Sequence, residues 1–474
     1  MIKITVNTCF TVVLLGIVLS IMASGCGQQV APTGGPRDSI PPKLVSSLPA
    51  YKSVEFKGNK ITLLFDEYVT LENPFEKLVY SPTPKNNPTA ESKLKTVTFK
   101  IKDTLEENTT YRIDFGNALK DINENNALED FSFTFSTGKF IDSAYLTGKV
   151  YLAADGKTDS TLIVMLHRNF DDSAVAKEKP RYYTPLKGDG SFYFGNLKPG
   201  KYNVFALKDA DGGKKYDQAS ELIAFHSSPV DIGTDTSLTL YAFEEEEDKP
   251  KSKNTPSLPK TTAKKRNPED TRLRLANNLE GGRQDLLNPL ILKSEFPLKD
   301  LDTSKVYLTD KEFNRLDGFS LQTDSTGKNL IIRYDWKENT GYALIQQKGF
   351  VSDSIGNTFS RTDSLKFGTK KNMDYGSMDI RIENLDTTKH PILFLQKDNV
   401  VAYRQTLTSN RFTIKLFPPG EYEVRVLMDA NNNGKWDTGN YWKKLQPERV
   451  ISRKQRLQIR ANWDNELKLE MKEF

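Results

Sequence analysis

The chain has 474 residues, 37% hydrophobic, 10% aromatic and 27% charged, enough for about three or four domains at roughly 100–150 residues each, and its 26 Phe and 19 Tyr exclude a disordered polymer. Lys and Arg number 67 against 62 Asp and Glu, a net charge of +5, too balanced to point to nucleic acid as a partner. Only His167, His226 and His390 carry imidazole, so hydrolytic triads, zinc sites and histidine general-base chemistry have little to draw on.

At the N-terminus, Lys3 is the only charge before a predominantly apolar run from Phe10 to Ala23. That run has the length of a signal-peptide hydrophobic region and is too short to span a bilayer comfortably, so residues 1–25 are predicted to be a signal peptide. Ala23-Ser24-Gly25-Cys26 follows and resembles the lipobox of a bacterial lipoprotein, with Ala23 where Leu is usual. The resemblance implies that the chain is cut before Cys26 and that Cys26 is the lipid-attachment residue. Cys9 falls in the removed segment, and lipidation of the one remaining cysteine explains it without a disulfide. Two or three acyl chains on one residue anchor stably where one would not.

Residues 26–41 are rich in Pro and Gly, poor sheet and helix formers, and read as a tether. No acidic run follows Cys26. In Bacteroidota lipoproteins such a run resembles a surface-export signal, and its absence favours the periplasmic face of the outer membrane over the cell surface.

Beyond the tether the periodicity is that of strands. Thr96-Val97-Thr98-Phe99-Lys100 and Phe131-Ser132-Phe133-Thr134-Phe135-Ser136 alternate polar and apolar, each burying one face and wetting the other. The expected fold class is all-β, a tandem array of sandwiches.

An internal repeat organises the array. Phe192 to Asp217 aligns without a gap on Phe412 to Asp437, matching Pro199-Gly200 with Pro419-Gly420, Tyr202 with Tyr422, Leu207 with Leu427 and Asp209-Ala210 with Asp429-Ala430. A weaker match joins Asn108-Thr109 and Tyr111 to Asn339-Thr340 and Tyr342, and Asp121 to Asp353. The order is A-B-A-B. Between the halves, a run of acids from Glu244 to Asp248 gives way to a basic, Pro- and Ser-containing stretch, read as a flexible linker. The predicted domains are 42–139, 140–243, 270–371 and 372–474, with the linker at 244–269.

The A domains resemble the SbsA-type bacterial Ig-like domain. The resembling residues are Ile61 to Val69, the approach Leu105 to Tyr111, the turn Asp121-Ile122-Asn123-Glu124-Asn125 and the closing Phe131 to Gly138. Glu124 stands where that family usually has Gly, whereas the second copy keeps Asp353-Ser354-Ile355-Gly356-Asn357. The B domains resemble the transthyretin-like or carboxypeptidase-regulatory-like sandwich, through Gly190 to Val204 and Phe412 to Val424, each a strand, a Pro-Gly turn and a second strand. Both resemblances imply structural or recognition roles and no catalysis.

One constellation carries metal-ligand spacing. Asp429, Asn431, Asn433, the Lys435 carbonyl and Asp437 fall at positions 1, 3, 5, 7 and 9 of a calcium-type loop with Gly434 at position 6; position 12 is Asn440 instead of the usual Glu. The same residues also fit a plain hairpin with an Asn-Gly turn. The first copy offers Asp209, Asp211 and Asp217 but has Gly213 and Lys214 where the third ligand and the Gly belong. Trp436, Tyr441 and Trp442 are candidates for stacking on a sugar ring, against the commoner use of aromatics in core or rim packing. His167, at a strand end, is read as structural.

The sequence therefore leads to a non-enzymatic, lipid-anchored envelope protein of the outer membrane, an extended four-domain rod acting as scaffold, spacer or accessory subunit to an envelope protein partner. The alternative is a ligand-binding or adhesive lipoprotein for glycan or protein. The expected cofactors are none beyond a structural calcium in the 429–437 loop, and the expected partners include the membrane through the lipid anchor and exclude nucleic acid.

Overall fold

The structure, a computed structural model, describes residues 37–234, 236–245 and 272–471. The segments predicted as signal peptide, tether and linker, Cys26 among them, lie wholly or mostly outside the described residues. The described chain is an all-β array of sandwiches, divided into two compact units at Ser143 and Ala144.

In the first unit, four antiparallel strands run in the order Leu44–Leu48, Lys60–Phe65, Thr96–Lys100, Thr89–Lys93. Opposite them lie the three-stranded sheet Val79–Ser81, Thr110–Asp114, Ser132–Ser136 and the pair Val69–Leu71 with Leu119–Asp121. Ile61 pairs with Phe99 and Leu63 with Val97, so the alternation places all four side chains on one face, where they are buried with Phe65, Phe115, Phe133 and Phe135. Asp121 closes the domain from inside. Its carboxylate accepts the backbone N–H groups of Glu124 at 2.6 Å, Asn125 at 3.0 Å and Asn126 at 2.8 Å. The positive φ that this turn needs is taken by Asn125, at 63°, one residue after Glu124. That shift explains how Glu124 replaces the usual Gly. In the second copy Asp353 holds the N–H groups of Ile355 and Asn357, and Gly356 takes φ 91°.

The second unit holds three sandwich cores. Residues 272–371 form one sheet in the order Ala276–Asn277, Leu290–Lys293, Asn329–Arg333, Ser320–Thr323 and a second in the order Arg283–Gln284, Asp363–Thr369, Gly341–Gln346, Val306–Asp310. Leu290, Leu292, Leu308, Leu330, Ile332 and Leu344 are buried between them.

The other two cores are the B domains, here the first and second repeat domains, and their topology is the same. In the first, Ser191–Leu197 pairs antiparallel and Ser237–Ala242 parallel with Ala144–Leu152. In the second, Arg411–Phe417 and Asp464–Glu470 pair in those two ways with Gly376–Glu383. The opposing sheets are Tyr182–Pro185, Ile163–His167, Gly200–Leu207, Ile223–Phe225 and Val400–Thr406, Pro391–Lys397, Gly420–Met428, Arg449–Ser452. The Pro-Gly-x-Tyr signature has one physical purpose in both. Tyr202 and Tyr422 are fully buried, and each donates its hydroxyl to the carbonyl four residues earlier, that of Lys198 at 2.8 Å and of Pro418 at 3.0 Å. The ring fills the core while the hydroxyl pins the turn that precedes it. Burial pushes the Tyr202 hydroxyl up to about 12.

Candidate functional site

The loops that follow Gly200–Leu207 and Gly420–Met428 are built alike. Asp429 is fully buried, and its two oxygens accept the N–H groups of Asn433 at 3.1 Å and Gly434 at 2.7 Å. Asp209 accepts the N–H of Lys214, the residue equivalent to Gly434, at 3.0 Å. Lys214 adopts φ 55° in place of the glycine and carries its ammonium over the Tyr183 ring, 4.8 Å from the centroid. Each loop ends against a glutamate that spacing along the sequence does not reveal. Leu207 pairs with Ile223 and Leu427 with Val450, which makes Glu221 and Glu448, each two residues before the paired residue, equivalent. Glu221 accepts the N–H of Asp217 at 3.4 Å, and Glu448 that of Asp437 at 3.1 Å.

The two loops differ in how their carboxylates are answered. In the second, the side-chain amides of Asn431 and Asn433 both donate to Asp437, at 2.7 and 2.5 Å. Glu448 takes the N–H groups of Asn431 and Asp437, and Arg404 donates to the Gly434 carbonyl at 2.6 Å. The donor set read from the sequence is all here, and its side-chain oxygens are held by amides of the loop itself. No cation is required to satisfy them. Among the described residues no three His, Cys, Asp or Glu side chains are gathered closely enough to clasp a metal ion as they stand.

The aromatic candidates separate by exposure. Tyr441 is 1% exposed and belongs to the core of the other repeat domain, among Met165, Phe205, Leu207, Tyr216, Phe225 and Phe243. Its ring stands edge-on to Phe225 at 5.3 Å and to Phe205 at 5.6 Å, and its hydroxyl donates to the Asp172 carbonyl at 2.7 Å. It offers no face to a sugar, which corrects that expectation: an aromatic in loop-like sequence is here a core residue of a neighbouring domain. Trp436 is half-buried in the same junction and donates its indole N–H to the Glu448 carbonyl at 2.7 Å. Trp442 alone of the three is open, 52% exposed and stacked on Tyr216 at 6.4 Å.

The segment from Thr438 to Leu445 thus serves as a docking arm between the repeat domains. Gly439 packs so close to Phe243 and to the Leu445 carbonyl that a Cβ would stand 2.7 Å from each. Gln446 donates to the Phe225 carbonyl at 2.9 Å, Val450 N–H to Ala153 at 3.0 Å, and Lys444 pairs with Asp172 at 2.7 Å. Glu244 and Glu245, assigned to the linker from sequence, join the junction: the Glu245 carboxylate accepts the Tyr441 N–H, and the Glu244 carbonyl accepts the Thr438 hydroxyl. The described residues from Ala144 onward belong to one compact unit.

His167 is 2% exposed, edge-on to Phe205 at 5.6 Å, and burial lowers its pKa to about 4. It is a neutral core residue.

Residues 38–137 match the bacterial Ig-like domain family. No curated protein matches the chain. Among solved structures, native alpha-2-macroglobulin from Escherichia coli, spanning its MG0-NIE-MG1 domains, is 12% identical with a TM-score of 0.20, covering 38% of this chain and 70% of that one. BcpA, the major pilin subunit of Bacillus cereus, is 10% identical with a TM-score of 0.17, covering 69% and 99%. The N-terminal part of the bacterial S-layer protein SbsC is 14% identical with a TM-score of 0.16, covering 44% and 45%. No helix among the described residues is long and apolar enough to cross a membrane.

Proposed function

We propose that this chain is a non-catalytic cell-envelope protein, anchored through lipid on Cys26 to the periplasmic face of the outer membrane, that acts as a modular scaffold or accessory subunit to another envelope protein. Its B domains are transthyretin-like sandwiches in this reading. The observation that carries it is that the side chains with chemical promise serve folding or docking instead. Asp121 and Asp353 close turns, Tyr202 and Tyr422 pin turns, His167 is a buried neutral ring, and Tyr441 joins two domains. A molecule built this way holds a fixed shape and presents surfaces.

The test is protease shaving of intact cells read with an antibody against residues 372–474, with a lysed sample and a periplasmic control, followed by cross-linking. Protection until lysis, labelled acyl chain lost in Cys26→Ser, and a stoichiometric envelope partner are the expected results. Cleavage on intact cells while the control survives would overturn the periplasmic placement. A second reading, glycan recognition, rests on the exposed Trp442 stacked on Tyr216; glycan-array binding lost in Trp442→Ala is its test.

A further inference from the structure

Resting on the lipid-anchor reading, we propose that the end of the first Ig-like domain at which the chain enters is a membrane-contact surface. It lays the exposed side chains of Tyr68, Leu94 and Ile122 into the interface of a zwitterionic lipid bilayer, which gives the domain a seat where an acyl anchor alone gives only a tether.

Backbone hydrogen bonds bring the three residues to one place. The Ile122 N–H donates to the Tyr68 carbonyl at 3.1 Å, and the Val69 N–H to the Leu94 carbonyl at 2.9 Å. Val69 pairs with Asp121 and both are buried, so strand alternation turns their neighbours Tyr68 and Ile122 outward. Tyr68 is 49% exposed, Leu94 63% and Ile122 52%. The entering segment is fastened to the same end, with Asn126 donating to the Asp38 carbonyl at 3.1 Å and Arg37 to the Glu124 carbonyl at 3.0 Å. It adds Ile40, which is also exposed.

The second copy of the domain shows that the fold does not require these side chains. There Leu298 pairs with Asp353 as Val69 pairs with Asp121. The Leu298 N–H donates to the Gly327 carbonyl at 2.7 Å, and the Ser354 N–H to the Pro297 carbonyl at 2.8 Å. Tyr68, Leu94 and Ile122 therefore correspond to Pro297, Gly327 and Ser354. The contrast is sharpest at Leu94, which holds φ 54° where its counterpart is a glycine at 68°. A large apolar residue is disfavoured in that conformation, and a group of them left in water marks a contact surface.

Chain length and charge select lipid as the partner. Residues 27–36 alone separate Cys26 from Arg37, so an acylated Cys26 keeps the entering segment within about 40 Å of the bilayer. The chain leaves the domain at the opposite end, where the Glu55 N–H donates to the Gly138 carbonyl at 2.9 Å. At the entering end Arg37, Lys43 and Lys95 are offset by Asp38, Asp66, Glu67 and Glu124, which gives anionic lipid no advantage. Aliphatic tips beside a tyrosine, with the Lys95 ammonium 5.8 Å from the Tyr68 ring centroid, suit the headgroup boundary of a zwitterionic surface.

The test uses the full lipidated chain in vesicles of phosphatidylethanolamine and phosphatidylcholine that carry a nitroxide lipid. A fluorophore is attached through Leu94→Cys, or through Lys57→Cys at the opposite end, and flotation with the vesicles reports the anchor separately. The label at position 94 is expected to be quenched and the label at position 57 not, with no change as salt rises. Adding Tyr68→Ser and Ile122→Ser should abolish the quenching while the chain still floats. A floating chain with neither label quenched, with both quenched equally, with quenching lost in salt, or with quenching that survives the added substitutions would overturn the membrane contact and leave the anchor standing. A chain that does not float and carries no acyl group on Cys26 would overturn the anchor reading, and the membrane contact with it.

Discussion

His167 shows how a single side chain converts burial into pH dependence. The ring is held neutral because burial lowers its pKa to about 4, against the opposing pull of Glu178. Its contribution to stability is therefore complete above an unfolded-state pKa near 6.5, is lost as pH falls from there toward about 4, and changes no further below that. The size is at most about 3 kcal/mol. His167→Leu should flatten the fall in urea midpoint between pH 7 and pH 4.5 relative to the natural chain; identical slopes would show that the ring is solvated. Asp121 acts through hydrogen bonds. Burial alone would raise its pKa, but the amide bonds from Glu124, Asn126 and Asn125 outweigh it and leave the carboxyl below its ordinary value. Asp121→Ala strands those amides and should cost about 2–4 kcal/mol, read by chemical denaturation. The tyrosine pins are worth less: Tyr202→Phe or Tyr422→Phe keeps the buried ring and loses one neutral hydrogen bond, about 1 kcal/mol each. The tyrosine and aspartate positions are legible in the sequence as repeated signatures. Their hydrogen bonds are not, since a motif records that a turn is needed but not which atom holds it.

At the scale of the element, the decisive segment is the arm from Thr438 to Leu445. Its aromatic-rich, loop-like sequence reads equally as a ligand platform or a packing surface, and the burial of Tyr441 in the first repeat domain decides for packing. Tyr441→Ala would leave a large cavity between domains and should cost about 3–5 kcal/mol. Gly439→Ala tests the same contact from the backbone, because its methyl meets the Leu445 carbonyl and the Phe243 ring. Both variants should become susceptible to proteolysis in the arm while retaining strand content by circular dichroism. Resistance equal to that of the natural chain would mean that the arm does not dock in solution. The glutamates Glu221 and Glu448 are the element-scale feature that spacing could not find. They stand 12 and 19 residues after Asp209 and Asp429, and only the strand register makes them equivalent.

The whole molecule divides into a compact unit ending at Ser143 and another spanning Ala144 to Phe474. Calorimetry should resolve two transitions, with Asp121→Ala lowering one and Tyr441→Ala the other. A single transition shifted by both variants would contradict that division. The sequence by itself determined the all-β class, the A-B-A-B order and the turn signatures, because alternation, Pro-Gly turns and a repeat at constant offset are local properties written residue by residue. Only the tertiary structure decided that the two repeat domains pack on each other, that Tyr441 is a core residue, and that Glu221 and Glu448 stand at equivalent places behind the two loops. Those are contacts between segments more than 200 residues apart or across strand register, and no short-range pattern encodes which distant surface will cover an aromatic or answer a charge.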